Sequence, residues 1–331
     1  MRSIDIHAHL MPRALLQTVQ SGNSWHGITL VKNEQGFDTI KTRSLQVRLG
    51  GRLRWDPEER LADMNGLGVD VQVVSIFPLL YSYDADADAG IAIARETNDE
   101  IASMTQTWPD RFAGLATLPM QDVKASITEM ERAVGQLGMK GVMIDDTVHG
   151  RRYDDPEFLP FFQAAEQAGA LVMFHQGGRT IVSDRISRYH LPNTVGNLVE
   201  RTLTFAHLVM GGVMDKCPDL KVCLCHGGGY LCYIVDRMDG GWHSRPQVRA
   251  NSSQPPSAYL RRFYYDCLTQ SAASLRFLID RVGADRVVLG TDWPADMQID
   301  WPVTWILGMD TLTEEEKELI LHKNLEQLLG L

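Results

Sequence analysis

The sequence has no apolar run of the roughly eighteen residues that a membrane span needs. Its first residues, Met1-Arg2-Ser3-Ile4-Asp5, contain no apolar signal core. Cysteine is scarce: Cys217, Cys223, Cys225, Cys232 and Cys267 are an odd set without a CxxC pair. That excludes a disulfide framework and suits reduced thiols in the cytoplasm. Cys223 and Cys225 lie in a strand-like run next to His226, where buried filler is favoured over a zinc role. Positive charge is also short: 32 Lys and Arg against 42 Asp and Glu leave a formal charge of −10. This argues against nucleic acid or an anionic membrane as the main partner. An anionic small molecule would need locally placed arginines. No glycine-rich nucleotide loop follows the first strand-like segment, which removes the main argument for a doubly wound open sheet.

What is present is an alternation. Short apolar runs fall at Ser3–His9, Val69–Phe77, Phe112–Leu118, Gly141–Ile144, Ala170–His175, Lys221–His226, Phe263–Asp266 and Val287–Thr291. Helical patterns lie between them, at Asp56–Gly68, Ala89–Trp108, Asp122–Gly138, Asp155–Gly169, Gly196–Lys216, Tyr230–Trp242 and Ala272–Gly283, with a last one at Thr313–Leu329. Asp122 and Thr313 read as N-caps, the latter in a capping box with Glu316. Gly68, Gly138, Gly169 and Gly283 read as helix stops. Eight strand–helix units predict a (β/α)8 barrel, an α/β fold, over residues 1–331 as a single domain. Two stretches break the alternation and are expected as long active-site loops: an insertion at 11–55 after the first strand, and Gly177–Asn197 after the fifth.

The chemistry gathers at strand ends. In Ile4-Asp5-Ile6-His7-Ala8-His9, the period of two puts His7 and His9 on one face of a strand. His175, His226 and Asp292 each end an apolar run, so a barrel would bring all five to one mouth. A single histidine in such a place is usually just hydrogen-bonded; five independent positions converging are far more specific. His26, His149, His190, His207, His243 and His322 lack that placement and read as surface or structural, with His207 kept as a supporting group. Three imidazoles and one carboxylate with an open position suit a catalytic divalent ion that activates water near neutral pH. A two-metal site would need a bridging group, often a lysine ending the fourth strand. Here Asp145 and Asp146 stand there, so one ion is favoured and Asp145 leaves a second open.

Asp5-Ile-His-Ala-His, Phe174-His175, Cys225-His226-Gly-Gly-Gly and Gly290-Thr-Asp292-Trp-Pro resemble motifs of the amidohydrolase-2 branch of the amidohydrolase superfamily. Within it they are similar to those of the α-amino-β-carboxymuconate-ε-semialdehyde decarboxylases. The likeness runs nearly end to end and includes Trp55-Asp-Pro, Gly68-Val-Asp-Val-Gln, Asp110-Arg and Pro255-Pro-Ser. It implies Zn2+, with Mn2+ as the alternative, on His7, His9, His175 and Asp292, and His226 as a base outside the ligand set. It also implies a homodimer, in which Arg48 and an arginine from the neighbouring subunit, here Arg237, hold substrate carboxylates. Arg52 and Arg54 compete with Arg48 for that part, and an ion pair with Asp236 or Asp239 competes for Arg237. After His175 the sequence departs from the pattern: Gln176-Gly177-Gly178-Arg179 replaces a proline and an aromatic residue. The expected activity is nonoxidative decarboxylation of a small aromatic, heteroaromatic or muconate-type carboxylate, with His226 or Asp292 moving the proton. Hydrolysis of a lactone, amide or C–C bond by the same metal-activated water is the alternative.

Overall fold

The computed structural model describes residues 1–53 and 56–331. Its eleven strands are β1 (Ile4–Leu10), β2 (Thr29–Lys32), β3 (Asp38–Lys41), β4 (Gln46–Arg48), β5 (Val71–Ile76), β6 (Phe112–Ala116), β7 (Gly141–Ile144), β8 (Leu171–Phe174), β9 (Lys221–Leu224), β10 (Phe263–Asp266) and β11 (Val287–Val288). The helices are α1 (Arg13–Gln20), α2 (Pro57–Leu67), α3 (Ala87–Thr107), α4 (Val123–Gly135), α5 (Leu159–Gln167), α6 (Asn197–Met210), α7 (Val213–Lys216), α8 (Leu231–Ser244), α9 (Ala272–Val282), α10 (Pro302–Leu307), α11 (Glu314–Glu318) and α12 (Asn324–Leu329).

Eight strands form one parallel sheet in the order β1-β5-β6-β7-β8-β9-β10-β11. The last strand returns to the first through three backbone bonds: Ile6 N to Leu289 O at 3.0 Å, Asp292 N to His7 O at 2.8 Å, and His9 N to Trp293 O at 2.8 Å. These bonds join the two ends of the sheet, so the expected (β/α)8 barrel is present. The strands are buried on both faces, as in β5 (VQVVSI) and β8 (LVMF), because the barrel fills one side and helices cover the other. Phe158, Phe161, Phe162, Phe174 and Tyr153 are among the largest fully buried side chains. Tyr153 packs edge-on against Phe158, Phe162 and Phe174 at ring separations of 5.0, 5.7 and 5.3 Å.

The helix signals act where the sequence put them. Asp122 caps α4 by accepting from Ala125 N, and Thr313 and Glu316 form both halves of a capping box. Gly68, at φ 74°, ends α2 in the left-handed conformation that glycine adopts freely. The insertion at 11–55 differs from expectation. It is no bare loop: it holds α1 and a separate antiparallel sheet, β2-β3-β4. Its strands are four, four and three residues long, too short for a period-two pattern to stand out. Arg54 and Trp55 lie outside the described residues. The expected single helix Gly196–Lys216 is broken at Gly211 and Gly212. A Cβ at Gly211 would meet Asp154 Cβ at 2.3 Å, and Gly212 sits at φ 77°.

Gly141 is where backbone approach is closest. A Cβ there would lie 2.1 Å from Leu171 O, across the β7–β8 ladder. Gly141→Ala should therefore cost several kcal/mol, beyond the roughly 1–3 kcal/mol of ordinary overpacking, because backbone cannot swing aside. Gly66, on α2 with open space around it, predicts the opposite: Gly66→Ala should gain about 0.5–1 kcal/mol. Thermal unfolding of both variants checks the pair; a tolerated Gly141→Ala would contradict the register.

Candidate metal centre and its cavity

β1 delivers His7 and His9. Its pairing with β5 shifts register between Asp5 and Ala8 and is regular from Ala8 to Leu10, and both rings reach the same point. β8 leads into His175, β9 into His226, and the segment after β11 into Asp292. The rings of His7, His9 and His175 form a nearly regular triangle, with centroids 5.0, 4.8 and 4.9 Å apart and each pair close to perpendicular. Asp292 Oδ1 lies inside it, 3.2 Å from His7 Nε2, 3.2 Å from His9 Nε2 and 3.9 Å from His175 Nε2. Ligand atoms of these four buried residues all lie within 4.8 Å of one another. The other Asp292 oxygen faces His226 Nε2 at 3.8 Å.

The outward nitrogens of His7 and His175 explain why their inward ones are free, whereas His9 Nε2 is bonded to Asp292 Oδ1 at 3.2 Å. His7 Nδ1 is bonded to Asp266 Oδ2 at 2.7 Å, His175 Nδ1 to the Gln176 carbonyl at 2.9 Å, and His9 Nδ1 to Ser75 Oγ at 3.2 Å. A carboxylate or carbonyl accepts only, so Nδ1 of His7 and His175 carries the proton and Nε2 keeps a lone pair. His7 Nε2 and His175 Nε2 are buried and lack any hydrogen-bond partner. Buried polar atoms are normally satisfied, so two orphans aimed at one point fit a ligand. Burial pushes His9 down to about 4 and His175 well below its usual value, which leaves both neutral near pH 7. Burial opposes charge on His7 too, but Cys225, Asp292 and Asp266 around it outweigh this and raise its pKa. Burial likewise works against ionised Asp292, yet His7 and the neighbouring imidazoles hold it well below the usual carboxylate range. The surroundings thus favour positive charge at the centre, and a divalent ion supplies it. Nitrogen and carboxylate donors of this kind suit zinc or manganese.

Beneath the centre lies a polar layer that sequence reasoning missed. Asp5 accepts from His7 N, Thr291 N and Thr291 Oγ1 at 2.9, 3.0 and 2.7 Å, tying β1 to the segment that carries Asp292. Arg60, on α2, donates to Gln72 Oε1 and to the His9 carbonyl, both at 2.9 Å. Asp266 bonds His7, as above, and accepts from Gly227 N at 2.8 Å. The available signal for Asp266 was its position, ending a barrel strand at the mouth where the other site residues end theirs.

The mouth opens into a cavity of about 790 Å³, lined by His9, His175, His226 and Asp292 and also by Arg48 and Arg52. Arg48 reaches it from β4, with its guanidinium 3.7 Å over the Phe37 ring. Arg52 sits 3.7 Å from Asp63. His190, read from sequence as surface or structural, also lines this cavity, as do Asn193, Asn197 and Gln176. The segment 177–197 carries His190 there, a placement no local pattern marks. Arg237 is exposed on α8 and is not among the cavity's residues. The acids expected to compete for it are engaged elsewhere: Asp236 pairs with Arg281 at 2.7 Å, and Asp239 accepts from Ser257 N at 2.9 Å. His207 pairs with Asp154 on the outside of α6 and takes no part.

The turn after β9 bears out close approach at Gly227-Gly228-Gly229. Cβ atoms there would meet Thr269 Cγ2 at 2.9 Å, the Tyr265 ring at 2.7 Å and Leu198 O at 2.2 Å. His226 and Asp292 are themselves left-handed, at φ 56° and 64°, a conformation that costs non-glycine residues energy and clusters at active sites. The Gln176-Gly177-Gly178 departure is also explained. A Cβ at Gly177 would lie 2.3 Å from the Tyr81 ring and 2.6 Å from Pro78 O, while its N–H donates to Asp145 Oδ1 at 3.1 Å.

Asp145 stands apart from the four. The candidate metal groupings among the described residues are His7/His9/His175/Asp292 and His7/Cys225/Asp266, and neither contains it. In the second, Asp266 already holds the His7 Nδ1 proton and two backbone amides. Burial pushes the Asp145 carboxyl up to about 7. A carboxyl whose folded pKa is raised loses stability for the fold as pH climbs from its unfolded value, 3.8, through about 7. Asp145→Asn keeps an acceptor for Gly177 N and Asp146 N but never ionises. Its melting temperature should therefore gain on the wild type between about pH 5 and about pH 8. A constant difference across that range would refute the assignment.

The amidohydrolase family model matches residues 4–331. The 2-amino-3-carboxymuconate-6-semialdehyde decarboxylase of Dictyostelium discoideum is 35% identical over 99% of this chain and 91% of its own. The γ-resorcylate decarboxylase of Polaromonas sp. is 27% identical over 86% of this chain and 90% of its own. Among solved structures, 5-carboxyvanillate decarboxylase from Sphingomonas paucimobilis superposes with a TM-score of 0.83, at 24% identity, covering 100% of this chain and 99% of that one. A dihydroxybenzoic acid decarboxylase from Polaromonas, solved with manganese and 2-nitroresorcinol, gives 0.81 at 23% identity, covering 99% and 97%. With a family match across nearly the whole chain and a relative above 30% identity at nearly full coverage, this chain belongs to the amidohydrolase family.

Proposed function

We propose that the protein is a metal-dependent nonoxidative decarboxylase of a small aromatic, heteroaromatic or muconate-type carboxylate. The observation that carries this reading is the division of labour around Asp292. One of its oxygens lies among three imidazoles, while the other faces His226, a histidine outside that set. The named relatives are decarboxylases of such carboxylates, which supports the same class here. His7, His9, His175 and Asp292 would hold one divalent ion, zinc first and manganese as the alternative. When bound, the ion polarises a substrate oxygen.

The chain's own residues do the rest. Arg48, steadied on Phe37, binds the substrate carboxylate at the cavity wall, with Arg52 lining the same cavity. His226, paired with Asp292, moves a proton to the carbon that bears the departing carboxylate. The C–C bond then breaks, CO2 leaves, and the bonding electrons return to the conjugated system. The left-handed turn and its glycines hold the imidazole where substrate approaches. Five free, buried cysteines suit a reducing compartment, for which we propose the cytoplasm. No described helix is long and apolar enough to cross a membrane.

Release of CO2 from a panel of dihydroxybenzoates and carboxymuconates tests this reading. A hydrolase built on the same residues would release none. His226→Asn should lower kcat by about 10²-fold or more while metal content stays at the wild-type level. Metal loss in that variant would make His226 a ligand instead.

The active unit is proposed to be a dimer. Arg237 is exposed and does not line its own cavity, and Asp236 and Asp239 are engaged elsewhere, which supports service to a second site. The partner's Arg237 would bind a substrate carboxylate in each cavity of a two-fold pair. Mixing Arg237→Ala with His226→Asn and allowing subunits to exchange should restore activity, one intact site per mixed dimer. Heterodimers that form and stay inactive would place Arg237 outside the shared site.

A further inference from the structure

Asp266 has no part in the activity as described, yet it is fully buried at the end of β10, and both its oxygens are committed. Oδ2 lies 2.7 Å from His7 Nδ1. Oδ1 accepts from Gly227 N at 2.8 Å and from Leu268 N at 3.2 Å. The fit around it is tight: a Cβ on Gly290 would meet Asp266 Cβ at 2.7 Å and His7 Cβ at 3.1 Å. One carboxylate therefore touches two separate parts of the site. It fixes the ring of His7, and it fixes the amide next to His226.

We propose that Asp266 is a positioning residue that sets metal affinity and the placement of His226 together, each through a different oxygen. The inference rests on His7 being a metal ligand. On the His7 side, an acceptor at Nδ1 forces the proton onto that nitrogen and leaves the Nε2 lone pair for the ion. A donor in the same place would force the opposite tautomer and protonate the ligand atom. On the other side, residues 226 to 229 form four consecutive left-handed positions, at φ 56°, 60°, 73° and 69°. Such a run opens the chain away from the β9 ladder and leaves the amide of Gly227 to find a partner. Asp266 Oδ1 is that partner. Without it the turn loses the buried bond that faces the barrel, and His226 loses its fixed aim.

The two roles separate by chemistry. Asp266→Asn keeps the shape and, with its oxygen toward the two amides, keeps the turn. Its NH2 then faces His7 Nδ1 and selects the wrong tautomer. Asp266→Ala removes both contacts. Affinity for Zn2+ alone is measured by competition with a chromophoric chelator, next to His7→Ala, with melting of each metal-free protein recorded. Asp266→Asn should melt near the wild type without metal, bind Zn2+ roughly 10–100-fold more weakly, and recover most of its kcat when Zn2+ is saturating. Asp266→Ala should stay slow even at saturating Zn2+, because its turn is loosened as well. A purely structural Asp266 would lower melting in both variants and leave Zn2+ affinity unchanged, which overturns the proposal. If His7→Ala loses the metal while Asp266→Asn binds it at full strength, the inference fails and the ligand set stands. If His7→Ala keeps the metal, the ligand set fails and takes the inference with it. Should Asp266→Asn not fold, 15N-histidine spectra of the Zn2+-loaded wild type decide: a slowly exchanging proton on His7 Nδ1, missing in His7→Ala, is expected, and its absence overturns the proposal.

Discussion

One carboxylate oxygen of Asp292 sits 3.2 Å from two imidazole nitrogens, in a place where water barely reaches. Much of the barrel mouth is arranged to make that tolerable. Burying ionisable groups is expensive unless opposite charge and hydrogen bonds compensate. Compensation comes from every side: Asp266 and the Gln176 carbonyl hold the outer nitrogens, Asp5 ties the ligand strand to the last one, and Arg60 holds the His9 carbonyl. What these contacts leave uncompensated is a demand for positive charge between His7, His9, His175 and Asp292. The centre is therefore a consequence of the polar layer beneath it as much as of its own four residues.

That layer also explains how the site can be rigid although its parts are far apart in sequence. His7 and Asp292 belong to opposite ends of the chain, and the backbone bond from Asp292 N to His7 O joins them directly. The same bond helps join the two ends of the sheet. The bond that helps close the barrel thus also holds two residues of the site together. The strained positions of His226 and Asp292 are held by the same contacts, where a free chain would relax them.

The cavity adds the complementary half. Arg48, at the end of the small sheet inserted after β1, and Arg52, in the short turn that follows it, line the same cavity as His9, His175, His226 and Asp292. In a chain of net charge −10, these two arginines share the cavity with Asp292, Asp296 and Asp300. A guanidinium there suits a carboxylate, and its place on the insertion leaves the barrel strands that carry the centre unchanged.

The sequence by itself determined the barrel, because eight apolar runs alternating with capped helices leave few other packings. It also marked His7, His9, His175, His226 and Asp292 as candidates that converge, because they sit at or near the ends of such runs and parallel strands bring those ends together. The glycines after His226 were legible as close-approach points, and the structure names what approaches. Tertiary structure alone decided the rest. The register shift in β1 between Asp5 and Ala8 depends on pairing with β5. The sheet inside residues 11–55 has strands too short to show a period. His190 reaches the cavity through an irregular segment, where side-chain direction has no sequence rule. Asp266, Asp5 and Arg60 matter through partners dozens to hundreds of residues away, and a hydrogen bond between distant strands leaves no local trace in the chain.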